Sequence, residues 1–300
     1  MQVQAKQIPR NDLLPTEIGE AKGRNKLAVF VGAGFSRNFG CWDWNQLAKG
    51  FIKKCEEVEI FNARERSNYI DLLENKQQTT TDMITFCFKK LVENNSEMEI
   101  KTLLEEACMI NATVSDKATE AYSELKRLGD YYITTNYDSR FDKLFPPERI
   151  LYKRSLFCGL RGNETLEENT LYHIHGSIEE IDSLVIANDH YLERYTNRNY
   201  KEFLRRTFSN YTVLFIGCSI EDCIRNILRE NKRMGDANHS FLLKKYFTDE
   251  QDLYTLETAM FSDFNVKVLS YLGDEKEYLE LLNIIKSWNN QIDDMGLEVK

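Results

Sequence analysis

The chain has 300 residues, 42% hydrophobic and 29% charged, enough for one large domain or two small ones with no disulfide or metal staple. With 39 Lys+Arg against 48 Asp+Glu the net charge is −9, which argues against a surface built throughout to grip nucleic acid but leaves room for a local basic patch. Only 4 prolines and 14 glycines are present, so the chain is neither collagenous nor dominated by linkers.

Residues 1–26 are polar, with Pro9, Pro15, Gly19 and Gly23, and read as a tail or a short leading helix. They contain no apolar stretch of the secretory type. The run 27–31 (Leu-Ala-Val-Phe-Val) is apolar and β-rich and ends in Gly32-Ala33-Gly34, the pattern of a buried parallel strand feeding a tight turn. From 44 to 128 the apolar residues fall at helical spacing. Trp44, Leu47, Phe51 and Cys55 form one set. Met83, Ile84, Cys87 and Leu91 form another, and Ala118, Ala121, Tyr122, Leu125 and Leu128 close the stretch at a Gly129 cap. No strand signal interrupts it, so a long helical insert is expected between two strands. Strands are then predicted at 131–135, 150–152, 171–174, 184–187, 212–216, 240–243 and 266–269, with helices near 221–231, 248–261 and 275–293. This alternation predicts an α/β fold, a Rossmann-like doubly wound parallel sheet with a helical insert module. The expected organisation is one domain over 27–293 with the insert at about 44–128, and a tail at 294–300.

The longest apolar runs, 27–35 and 213–218, fall far short of the roughly 20 residues of a membrane helix. Seven scattered cysteines (Cys41, Cys55, Cys87, Cys108, Cys158, Cys218, Cys223), with no Cys-x-x-Cys, point to reduced thiols and a cytoplasmic location.

Four motifs at predicted strand ends carry chemistry. Gly32-Ala33-Gly34-Phe35-Ser36 lets backbone approach a phosphate, or is simply a turn; it is not Gly-x-Gly-x-x-Gly, since Arg37 stands where the third glycine would be. Thr134-Thr135-Asn136-Tyr137-Asp138 offers groups for ribose hydroxyls and a carboxamide, or an Asx-type cap before Phe141 and Leu144. His173-Ile174-His175-Gly176 puts two imidazoles on one side of a strand. Neither His190 nor His239 supplies a recognisable third metal ligand, so His175 reads as a general base or as a structural histidine. Gly217-Cys218-Ser219 after an apolar strand is a second phosphate- or ribose-type turn, with Cys218 either reactive or packed. The cluster Arg194, Arg198, Lys201, Arg205 and Arg206 reads as one solvated helix face, so no strong nucleic-acid contact is expected.

In this order the four motifs resemble the sirtuin family of NAD-using enzymes, from about Leu27 to Ile227, with fold elements continuing to about Leu282. The segment from Gly40 to Leu47 resembles the Gly-x-Pro-x-Trp-x-x-Leu of the bacterial sirtuin-like defence branch, with Cys41 or Trp42 where that pattern prefers proline. The resemblance implies that Gly32, Ala33, Gly34 and Ser36 cradle the NAD pyrophosphate and that Phe35 lies near the nicotinamide ribose. It implies that Asn136 holds the ribose hydroxyls and the attacking water, that Asp138 faces the carboxamide, and that His175 is the base. Gly217, Cys218 and Ser219 would contact the adenosine end. Sirtuin deacylases carry a four-cysteine zinc module after His-Gly; here only Cys218 and Cys223 follow, so no zinc is expected. The implied activity is therefore NAD+ hydrolysis to nicotinamide and ADP-ribose, used in antiviral defence. The alternatives are an NAD-dependent protein deacylase and a non-catalytic NAD or ADP-ribose sensing module. Unregulated hydrolysis would be toxic, and 300 residues leave little for a sensor, so control by self-assembly or by a protein partner is expected. The resemblance favours a HerA-type translocase ATPase over a short Argonaute as that partner.

Overall fold

The computed structural model describes residues 8–110, 112–151, 166–220, 222–235, 239–273 and 277–296. Tyr152, Cys158, the expected helix start at residue 221 and the ends of the two expected tails (1–7 and 297–300) lie outside them, as does the side chain of Cys223.

A short helix α1 (Thr16–Gly23) leads into β1 (Leu27–Val31), every residue of which is buried. After the five-residue helix α2 (Ala33–Arg37), the stretch before the next strand is helical: α3 (Trp44–Glu57), α4 (Ala63–Glu74), α5 (Thr80–Glu93), α6 (Glu97–Ala107) and α7 (Ser115–Leu128). Helix α3 starts at Trp44 because Asp43 and Gln46 form a reciprocal capping box. Gly129 ends α7 as expected, though in extended geometry. The strands β2 (Tyr131–Thr134), β3 (Ile150–Leu151), β4 (Leu171–His173), β5 (Thr212–Ile216), β6 (Ser240–Tyr246) and β7 (Val266–Leu272) follow. Between and after them lie α8 (Asn188–Thr196), α9 (Arg198–Asn210), α10 (Asp222–Met234), α11 (Gln251–Ser262) and α12 (Glu277–Asp294). No helix among the described residues is long and apolar enough to cross a membrane.

The seven strands among the described residues are all parallel, in the order β3-β4-β2-β1-β5-β6-β7. Side chains alternate between two cores, as period-two geometry requires. Leu27, Val29, Val31, Leu214 and Ile216 pack with α7 and α12 through Leu125, Leu128, Ile285 and Trp288. Ala28, Phe30, Val213 and Phe215 pack with α9 and α10 through Phe203, Phe208, Ile224 and Leu228. A third core is built from α3 to α6, with Phe51, Cys55, Ile84, Cys87, Leu91, Ile100 and Leu103. The insert is therefore split: α3–α6 make a module, whereas α7 covers the sheet.

Two expectations are corrected. The apolar run Leu184, Val185, Ile186, Ala187 is not a strand, because it pairs with no strand among the described residues; Leu184, Ile186 and Ala187 instead lie in the core of the α3–α6 module. The five cations 194–206 do not share one solvated face. Arg194 ends up buried on α8, while Arg205 and Arg206 on α9 are bridged by Glu202.

Candidate functional site

β1 lies between β2 and β5, and the chain leaves β1 for one side of the sheet before returning to the other at β5. The carboxyl ends of β1 and β5 thus form a topological switch point, the usual ligand crevice of such sheets. Both glycine motifs sit there. Gly32 N–H donates to Ile216 O at 2.9 Å and Gly34 N–H to Gly217 O at 2.8 Å. Gly217 has φ +66°, and a Cβ on it would stand 2.2 Å from Phe35 N; a Cβ on Gly32 would stand 2.6 Å from Gly217 O. The glycines are therefore required first by the contact of one turn with the other. With the Gly34 amide used in this way and Phe35 N–H donating to Gly32 O at 2.9 Å, the Ala33 N–H and the Ser36 hydroxyl are the polar groups of this turn nearest to serving a ligand.

The turn after β2 carries Asn136 and Asp138, both buried. Asp138 Oδ1 accepts from Tyr122 OH (3.2 Å) and from Arg140 N–H (3.1 Å), the expected Asx turn, which opens a short 3-10 turn at Phe141–Leu144 and not an α-helix. Burial raises the affinity of the Asp138 carboxyl for its proton, although the Arg140 amide and the Ser36 hydroxyl pull the other way. Ser36 Oγ accepts from Asn136 Nδ2 at 2.8 Å. That fixes the Asn136 amide and leaves Oδ1 as a buried acceptor with no hydrogen bond among the described residues. Such a group is costly unless a ligand or water satisfies it.

The two histidines separate in role. His173 is enclosed: Nδ1 meets Asn136 O at 3.1 Å and Nε2 meets Asp142 Oδ1 at 2.8 Å. Burial disfavours its charge, but the Asp142 carboxylate outweighs this and raises its pKa. It is a structural residue that steadies the Asn136 turn. His175 lies just beyond β4. Its Nε2 contacts Tyr195 OH at 2.8 Å, and the Tyr191 ring stands edge-on at 5.4 Å. Burial first, and Arg194 second, push its pKa down to about 3, so the ring is neutral near pH 7. Gly176, at φ +81°, turns the chain so closely under Ser183 that a Cβ would stand 2.3 Å from Ser183 O.

A cavity of about 430 Å³ lies over these turns, within the size range of small-molecule sites, about 300–1,000 Å³. Its lining unites Gly32, Ala33, Gly34, Ser36, Asn136, Asp138, His175, Gly217, Cys218 and Ser219. Phe35 is the exception. It is fully buried beneath the turn, edge-on to Phe39 and Tyr122, and does not line the cavity. Cys218 Sγ donates weakly to Phe30 O at 3.3 Å, so its packing is resolved alongside its place in the lining. Sequence reasoning missed the contribution of the helical module, Trp42, Trp44 and Cys108, and that of Tyr191 on α8. It also missed Arg37, Lys244 and Lys245, which bring positive charge to a lining that includes Asp43 and Asp138. The Trp44 ring meets Tyr137 edge-on at 6.4 Å, tying the module to the Asn136 turn. Among the described residues no group of three or more His, Cys, Asp or Glu side chains is placed to hold a metal ion.

Comparison with known proteins gives two results. Residues 130–264 match the model of the SIR2-like domain. Over 303 aligned residues, 92% of this chain and 57% of the relative, the chain is 26% identical to the NAD(+) hydrolase ThsA of Enterococcus faecium. Over 220 residues, 70% of this chain and 39% of the relative, it is 26% identical to the NAD(+) hydrolase ThsA of Cytobacillus dafuensis. The chain spans about half the length of the curated relatives it matches.

Proposed function

We propose that the chain is an NAD+ glycohydrolase that cleaves NAD+ to nicotinamide and ADP-ribose. The observation that carries this reading is the pairing, in one cavity at the switch point, of an uncommitted buried acceptor, Asn136 Oδ1, with a neutral imidazole, His175. The names of the ThsA relatives support the same reaction, as does the SIR2-like match over 130–264.

In the proposed reaction the bond between C1′ of the ribose and the pyridinium nitrogen breaks, and its electron pair returns to the nicotinamide ring. Water oxygen bonds to C1′ and loses a proton. Asn136 Oδ1 accepts a hydrogen bond from a ribose hydroxyl or from the attacking water, and His175 accepts the proton. Holding both groups in place before reaction removes much of the entropic cost of bringing water to C1′. Ala33 and Ser36 would meet the pyrophosphate, with Gly32 and Gly34 shaping the turn and Phe35 supporting it from below. Asp138 would face the carboxamide, and Gly217, Cys218 and Ser219 the adenosine end. Use of this activity in antiviral defence belongs to the same proposal. So does its control by self-assembly or by a partner, a HerA-type ATPase favoured over a short Argonaute; both rest on the motif resemblance.

The test is turnover. Asn136→Ala and His175→Ala should each lower kcat by about 10²–10⁴-fold, the range of positioned acid–base catalysis, with circular dichroism unchanged. Wild-type-like NAD+ loss in either variant overturns the assignment.

A further inference from the structure

The aromatic ring of Tyr195 is held independently of its hydroxyl. It stacks on Tyr191, with centroids 6.0 Å apart and planes 21° apart, and it meets Tyr200 edge-on at 5.4 Å. Its hydroxyl nevertheless stops 2.8 Å from Nε2 of His175. The backbone of His175 is fixed as well, since its carbonyl accepts from Val185 N–H at 2.9 Å. The other ring nitrogen, Nδ1, makes no hydrogen bond among the described residues, and His175 lines the cavity.

We infer that Tyr195 is a positioning residue: its hydroxyl oxygen accepts from Nε2–H of His175 and so commits the lone pair of Nδ1 to the cavity. This rests on the proposed hydrolysis: the 2.8 Å contact fits either direction of the hydrogen bond, and the base role of His175 selects the one with the proton on Nε2. A neutral imidazole carries one proton. If it sat on Nδ1, the cavity would meet a donor and His175 could take no proton from water or ribose. With the proton on Nε2, Nδ1 is the acceptor, and once Nδ1 is protonated both ring nitrogens are donors, so Tyr195 must accept in that state too. One orientation of the phenol therefore serves both ends of the transfer. The O–H bond of the water or ribose hydroxyl breaks, and the Nδ1 lone pair forms the new N–H bond. Burial and Arg194 keep the resting ring neutral.

Tyr195→Phe keeps the stacked ring and removes only the hydroxyl. It should lower kcat for NAD+ by about 10²-fold, because the ring is left in the wrong tautomer part of the time, while KM changes by less than about twofold. Long-range ¹H–¹⁵N spectra of the four histidines should show His175 protonated at Nε2 in the wild type and shifted toward Nδ1–H in Tyr195→Phe. A purely structural role would not move the tautomer. A wild type protonated at Nδ1 overturns the inference without any variant. So does Tyr195→Phe with full kcat or an unchanged tautomer, and that result leaves the proposed hydrolysis standing. A wild type inert toward NAD+ overturns the hydrolysis instead, whatever the tautomer.

Discussion

His173 and His175 are two residues apart, yet their surroundings drive their proton affinities in opposite directions. His175 has its pKa lowered from 6.5 to about 3 by burial and Arg194. Between those values the unfolded chain binds the proton and the folded chain does not, so its contribution to stability is present above 6.5 and lost as pH falls toward 3. The slope from this one site is at most about 1.4 kcal/mol per pH unit. His173 has its pKa raised above 6.5: burial opposes the charge but Asp142 outweighs it. Its contribution is fully present below 6.5 and is lost as pH rises through the raised value. Urea unfolding across pH 4–8 should therefore show His175→Gln losing stability less steeply than wild type on the acid side; parallel curves would contradict the buried, neutral ring. The sequence showed both histidines and their strand. The motif resemblance singled out His175 as the base, but spacing could not show why the two differ, because Asp142 and Tyr195, which decide their roles, lie 31 and 20 residues away and reach them only through the fold. Tyr122 escaped notice for the same reason: it was visible as a core position of a helix, not as a hydrogen-bond donor to Asp138.

At the scale of elements, the two glycine turns act as one unit. Gly217→Ala would place a methyl 2.2 Å from Phe35 N at φ +66°. It should cost more than the roughly 1–3 kcal/mol of a strained residue alone, because the β1 turn must also move. Thermal unfolding should show a large drop in Tm or no folded protein; a near-wild-type Tm would contradict the turn-on-turn packing. Strands β1, β5, β6 and β7 were legible because buried parallel strands are written as short apolar runs. The α3–α7 stretch was legible from its 3.6-residue periodicity. The same apolar-run criterion misread 184–187, since a run buried against helices looks like one buried in a sheet until pairing is known. Removing Phe51, fully buried in the α3–α6 core, should cost about 3–5 kcal/mol as Phe51→Ala, measured by the same denaturation. A smaller loss, under about 1 kcal/mol, would mean that this module is loosely packed.

For the molecule as a whole, the parallel sheet and its switch point set where a ligand can sit, and the helical module closes one side of that place. Trp42, Trp44 and Cys108 reach the cavity from the module while Gly217, Cys218 and Ser219 reach it from the sheet. The net charge of −9 coexists with Arg37, Lys244 and Lys245 at the cavity, beside Asp43 and Asp138, a local mixture of charges that a bulk charge count cannot reveal. Control by assembly predicts that specific activity depends on oligomeric state; light scattering that finds a fully active lone monomer would contradict that part of the proposal. The central claim is the reaction itself, and one measurement addresses it most directly: incubate the purified chain with NAD+ and quantify nicotinamide and ADP-ribose over time. The account predicts that the two products appear in equal amounts as NAD+ falls, and that Asn136→Ala slows the release of both by about 10²–10⁴-fold. NAD+ that remains intact, or nicotinamide released only when an acyl-lysine peptide is supplied, would contradict it.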